Sequence, residues 1–158
     1  MSEIIRVKIT GASGYCCAEE AYEDTLVIEK NSIKYEYKPL VETRLNPVRK
    51  WNYKTTSPLF EKKYRDVVSL MPSVMDIDDE EVFCTDVGGF DFTVTYSDGS
   101  KWENSFFTGG ETFADLFRCI NQMVPSTEYT PAMLLLFNTK VYVSPFEDGG
   151  STKCKVFW

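Results

Sequence analysis

Ile5, Val7 and Ile9 alternate with Arg6 and Lys8, which predicts a half-buried strand over residues 4–9. Gly11-Ala12-Ser13-Gly14 then breaks the pattern, and Tyr15 to Asp24 is acidic and aperiodic, reading as a loop or a short helical turn. Thr25 to Lys38 reads as a hairpin around an Asn31-Ser32 loop. That loop pairs Glu29 with Lys34 and Ile28 with Tyr35, and it gathers Leu26, Ile28, Tyr35 and Tyr37 on one face. Pro39 to Pro47 is a connection. A strand resumes at Arg49 to Thr55, with Trp51 and Tyr53 on one face.

Ser57-Pro58 then has the chemistry of a helix start, a capping hydroxyl followed by a proline in the first turn. Phe60, Tyr64, Val67, Val68 and Met71 recur at helical spacing, and Pro72 is expected to close that helix. Strands follow at Phe90 to Tyr96 and Ser100 to Phe107, joined near Asp98-Gly99. A two-residue loop would set Trp102 and Phe106 on the polar face. A three-residue loop, Ser97 to Gly99 with Gly99 left-handed, sets Val94 opposite Trp102 and Phe90 opposite Phe106. The second register is favoured because it does not bury Glu103. Thr108 and Glu111 have the spacing of a capping box, ahead of an apolar stripe of Phe113, Leu116, Phe117, Ile120, Met123 and Val124 that Pro125 closes.

The halves resemble one another. Phe60 and Phe113, Tyr64 and Phe117, and Val67 and Ile120 stand 12, 8 and 5 residues before Pro72 and Pro125. Lys50-Trp51 corresponds in the same way to Lys101-Trp102. The fold expected is therefore α+β: an antiparallel β-sheet of about six strands with two helices packed on one face, arising by internal ββα duplication. The chain reads as a single domain over 1–158, with repeat units 25–73 and 82–126 and a C-terminal extension 127–158. In that extension Thr130-Pro131 is compatible with a helix running to Phe137, Met133 to Phe137 with a buried strand, and Val141 to Ser144 with a short strand.

Composition narrows the chemistry. The 158 residues are 43% apolar and 15% aromatic, enough for a globular core. The longest apolar run, Ala132 to Phe137, is far short of the ~20 residues that cross a bilayer, so no membrane association is expected. There is no histidine, which excludes Ser-His-Asp triads, Cys-His pairs and His-ligated zinc. The formal net charge of -7 argues against direct contact with nucleic acid. Five cysteines at irregular spacing, with no C-x-x-C, fit a reducing, cytoplasmic setting.

The remaining motifs are weak. Thr10-Gly11-Ala12-Ser13-Gly14 follows a strand as a nucleotide-binding turn does, but lacks the third glycine and the room for a crossover helix. Cys16 and Cys17 sit among Glu19, Glu20, Glu23 and Asp24, whose charges raise a thiol pKa and oppose catalysis. Asp76 to Glu81 holds five carboxylates in six residues, but without an EF-hand layout it reads as a solvated linker. No catalytic residue, no metal ligand and no cofactor is assigned.

The candidate binding residues are Tyr15, Tyr22, Glu19, Glu20, Glu23, Asp24 and Trp158, the aromatics and carboxylates expected outside regular elements. Three functions stay open. The leading one is a non-catalytic protein-binding or adaptor module whose partner is another protein. The second is an acidic decoy that inhibits a basic nucleic-acid-binding protein. The third is a histidine-free enzyme or small-ligand-binding domain.

Overall fold

The computed structural model describes residues 2–78, 88–107 and 109–135. Six strands form one antiparallel sheet: β1 (Ile4–Ala12), β2 (Tyr22–Glu29), β3 (Ser32–Pro39), β4 (Arg49–Lys54), β5 (Gly89–Tyr96) and β6 (Lys101–Phe106), in the order β4-β3-β2-β1-β5-β6. Helix α1 (Pro58–Met75) carries the chain from one edge strand back to the sheet interior at β5. A 3-10 turn (Gly110–Phe113) and α2 (Ala114–Asn121) follow β6, and a short helix α3 (Ala132–Leu135) comes last.

The first strand sits mid-sheet, paired with β2 and β5, and this lengthens it beyond the sequence expectation. Gly11 and Ala12 do not end it; they pair with Asp24 and Glu23 on one side and with Phe90 and Gly89 on the other. Strand β2 accordingly starts at Tyr22. Tyr22 to Asp24, expected in a loop, belongs to the ladder.

The first hairpin turns one residue earlier than expected. Glu29 faces Ser32 and Ile28 faces Ile33, so Lys30-Asn31 is the loop and the Glu29–Lys34 pairing does not form. Glu29 instead accepts from the Arg6 guanidinium at 2.7 Å and from Ser32 Oγ at 2.9 Å. The shift moves each partner by two positions, so Leu26, Ile28, Tyr35 and Tyr37 stay on one face and Ile33 joins them. The second hairpin follows the three-residue register: Val94 faces Trp102, Phe90 faces Phe106, and Gly99 is left-handed at φ 85°.

Both helices cover the face that carries the large side chains. Tyr64 Oη donates to the Ile4 carbonyl at 2.8 Å, and the rings of Phe60 and Tyr53 lie 6.0 Å apart. Phe113 packs against Phe90, Phe92, Phe106 and Phe117 at centroid distances of 5.0 to 5.7 Å. Trp51 is buried with its Nε1–H donated to the Tyr129 carbonyl, and Trp102 is half-buried against the same core.

Three details of the helices differ from expectation. Pro72 does not close α1, which continues to Met75, because proline near a C-terminal end forfeits one backbone bond and the buried Met71 and Val74 hold the last turn. Ser57 is the N-cap residue, but its hydroxyl makes no capping bond. Helix α2 ends at Asn121, ahead of Pro125, and of its anticipated capping pair Thr108 lies outside the described residues. Helical backbone over Ala132–Leu135 excludes a strand there. Residues 136–158, including Val141 to Ser144, lie outside the described residues.

The six helix residues matched between the halves are all buried, yet the elements do not correspond. The first helix is one 18-residue unit, whereas the second divides into a 3-10 turn and eight α-helical residues. Among the described residues, β1, which precedes the 25–73 unit, has no counterpart ahead of β5. The duplication therefore does not follow from the fold. Among the described residues no helix is long and apolar enough to cross a membrane.

Candidate functional site

Strand alternation that sends most of the large apolar side chains to the helices, with Ile5 an exposed exception beside the β1 irregularity between Ile4 and Arg6, leaves a polar grid on the opposite face. The registers align it in rows. One row runs Lys50, Glu36, Thr25, Thr10, Asp91, Ser105 across all six strands, and the next runs Asn52, Lys34, Val27, Lys8, Thr93, Glu103. Thr10 and Thr25 hydroxyls meet at 3.3 Å, and Thr93 Oγ1 donates to Glu103 at 3.4 Å. No helix covers this face among the described residues, and basic side chains outnumber acidic ones on it although the whole chain is acidic.

Shallow basins lie on the grid. One basin of about 460 Å³ lies over β2, β3 and β4, lined by Thr25, Val27, Lys34, Glu36, Lys50 and Asn52. A second of about 510 Å³ lies over β1, β5 and β6, with Lys8, Thr10, Asp91, Thr93 and Glu103. Among the described residues Lys8, Lys34 and Lys50 form no ion pair.

A third basin, about 360 Å³, closes one end of the face and collects two of the residues singled out from sequence, Tyr15 and Glu23, beside Asp91, Ser105 and Phe107. Tyr15 is 92% exposed and Phe107 59%. Gly88, at φ 80°, builds the floor: a Cβ there would lie 2.2 Å from the Ala12 carbonyl oxygen, so only glycine lets the 12–14 backbone pack against it.

The other sequence candidates scatter. Glu19 and Glu20 are exposed in the loop before β2. Tyr22 is not a free surface ring; it lies in β2, stacked on Tyr37 at 5.0 Å, and desolvation followed by the Asp24 charge pushes its hydroxyl up to about 12. Trp158 and the 79–81 part of the acidic run lie outside the described residues. Partial desolvation and the charges of Glu20 and Glu19 hold the Cys17 thiol above its usual range.

Asp24 is the principal correction. It faces the core, 1% exposed, because its strand parity matches Leu26 and Ile28. Its Oδ2 accepts from Tyr35 Oη at 3.1 Å and from the Met133 N–H at 2.9 Å, and Tyr35 Oη accepts from the Ala132 N–H at 2.9 Å. Oδ1 has no hydrogen-bond partner among the described residues and rests against Gly11, where a Cβ would come within 2.8 Å of it. Desolvation raises the carboxyl to about 6. This group ties the 132–135 turn to the sheet. It is closed off from solvent and so is not placed to exchange protons with a substrate.

Sequence reasoning passed over Lys8, Lys34, Lys50, Thr10, Thr25 and Thr93. Each was the polar half of an alternation, and the hairpin registers were the signal that would have assembled them. Among the described residues no group of three metal-ligating side chains occurs. In comparisons with known proteins, the chain matches no family model and no curated protein.

Proposed function

We propose that the protein is a non-catalytic protein-binding module and that the helix-free face of the sheet receives the partner. The observation that carries this reading is the grid of threonines and lysines spanning six strands, with no helix over it and no ion pair on Lys8, Lys34 or Lys50 among the described residues. Lys8 and Lys34 flank Val27 in one row and Lys50 stands in the next, so the partner surface that complements them presents carboxylates. Single-stranded nucleic acid is disfavoured, because sheet platforms that bind it stack bases on exposed aromatics, and the two central rows carry none. A decoy for a basic protein would instead make contact through the Glu19 and Glu20 loop.

The test is a titration of the ¹⁵N-labelled protein with an oligoglutamate peptide. Amide shifts are expected on β1, β2 and β3 around Lys8, Lys34 and Lys50. They should weaken steeply between low and physiological salt, since the lysines are solvated. The combined Lys8→Glu, Lys34→Glu, Lys50→Glu variant should lose at least roughly tenfold in affinity, about 1.4 kcal/mol. Undiminished binding by that variant, shifts confined to the helices, or equal binding of oligolysine at the Glu19 loop would each refute the assignment.

A further inference from the structure

A second cluster stands apart from the open face. Where β2, β3 and β4 meet the segment before α3, Tyr22, Tyr35, Tyr37, Arg49, Tyr129 and Thr130 line a recess of about 260 Å³. The Arg49 guanidinium carbon lies 5.6 Å from the Tyr37 ring centroid and 5.5 Å from that of Tyr129. Stacking engages the faces of a guanidinium and leaves its N–H edge to donate in plane. Among the described residues the Arg49 guanidinium makes no ion pair and no hydrogen bond.

The rings that position Arg49 are themselves fixed. Tyr37 Oη donates to Asn46 Oδ1 at 2.8 Å and its ring stacks on Tyr22, while Tyr35 Oη is held between Asp24 and the Ala132 N–H. The hydroxyls of Tyr22 and Thr130 have no protein partner among the described residues. The recess thus offers a planar double donor, two further hydroxyls and flat aromatic walls. A cationic ligand does not suit it, because the aromatic cage already contains a cation.

We infer that this recess binds a small planar carboxylate, with the carboxylate forked onto Arg49 and the body of the ligand lying against the tyrosine rings. The paired geometry of guanidinium and carboxylate supplies two parallel charge-assisted bonds, which neither a neutral amide nor a lysine can reproduce. The volume is slightly below that of ordinary ligand pockets and fits a single-ring molecule.

Benzoate is the probe, compared with benzamide, acetate and inorganic phosphate by NMR titration of the whole chain. The Arg49 Nε–H and Trp51 indole signals are followed, the latter because Trp51 Nε1–H donates to the Tyr129 carbonyl at 2.9 Å. Benzoate is expected to saturate with a dissociation constant of about 1 mM, and benzamide and acetate to bind at least roughly tenfold more weakly. Arg49→Lys should weaken benzoate roughly tenfold while the Trp51 indole signal and the melting temperature persist. Four results would overturn the inference: no saturable shift up to about 20 mM, benzamide equal to benzoate, phosphate tighter than benzoate, or undiminished binding by Arg49→Lys. If that variant fails to fold, the comparison of benzoate with benzamide on the unaltered protein decides. Shifts in this recess are separate from shifts around Lys8 and Lys34, so failure here leaves the open-face reading standing, and the reverse also holds.

Discussion

Replacing Phe113 with alanine is expected to lower the unfolding free energy by about 3–5 kcal/mol, the usual cost of emptying a phenyl site in a tight core. Phe113 is 2% exposed and makes ring contacts with Phe90, Phe92, Phe106 and Phe117, so it joins β5, β6 and α2 in one cluster. The surrounding rings are rigid and tied to three elements, which limits collapse into the cavity. Urea denaturation followed by tryptophan fluorescence measures the effect, with the slope against denaturant unchanged. Phe107→Ala, at a side chain 59% exposed, should stay within about 0.5 kcal/mol. Equal effects at the two positions would mean that Phe113 is not seated in the phenylalanine cluster between β5, β6 and α2.

Asp24 carries the second large effect. Its carboxyl sits near 3.8 in an unfolded chain and about 6 in the folded one. A folded value above the unfolded value means that the folded state holds the proton more tightly. The stability this provides is complete below about pH 4 and is lost as pH rises through 6. Asp24→Asn does not titrate, and its side-chain carbonyl can still accept from Tyr35 Oη and the Met133 N–H. The stability of the native protein relative to this variant should therefore rise by about 2 kcal/mol between pH 7.5 and pH 4, most of what a shift of this size contributes. Asp24→Ala leaves both buried donors unsatisfied, and should destabilise by roughly 1–3 kcal/mol for each donor before the relief of the buried charge is subtracted. Thermal melts of the three proteins at several pH values are the measurement. A pH-independent difference between Asp24 and Asn would show that the carboxyl titrates as in water.

Much of the architecture was readable because period-2 alternation and the two helical stripes point to a single buried face. Gly99 settled the second hairpin, since a left-handed residue belongs at the end of a three-residue loop. The first hairpin moved by one residue because Lys30-Asn31 and Asn31-Ser32 turns place the same side chains on the same face, so hydrophobic pattern alone does not separate them. The candidate site was less readable. Asp24 looked like part of a solvated acidic run, since local composition carries no information about a ladder to Gly11 of β1, thirteen residues away in the chain. Only the parity of Asp24 with Leu26 and Ile28 hinted at burial, and continuing that parity through a run of acids runs against propensity. The stacking of Tyr22 on Tyr37 and of Arg49 between Tyr37 and Tyr129 depends on pairings between β2, β3 and β4 and on a distant segment. No spacing rule reports such contacts.

The claim at the centre of this account is that the partner sits on the polar grid opposite the helices. Lysine footprinting by reductive methylation and mass spectrometry addresses it directly, comparing the purified protein with the same protein in crude extract of its native cells. Lys8, Lys34 and Lys50 are expected to be protected in extract, while the exposed Lys62 on α1 reacts equally in both. Equal reactivity of the three sheet lysines in both preparations, or protection of Lys62 with the sheet lysines left open, would contradict it.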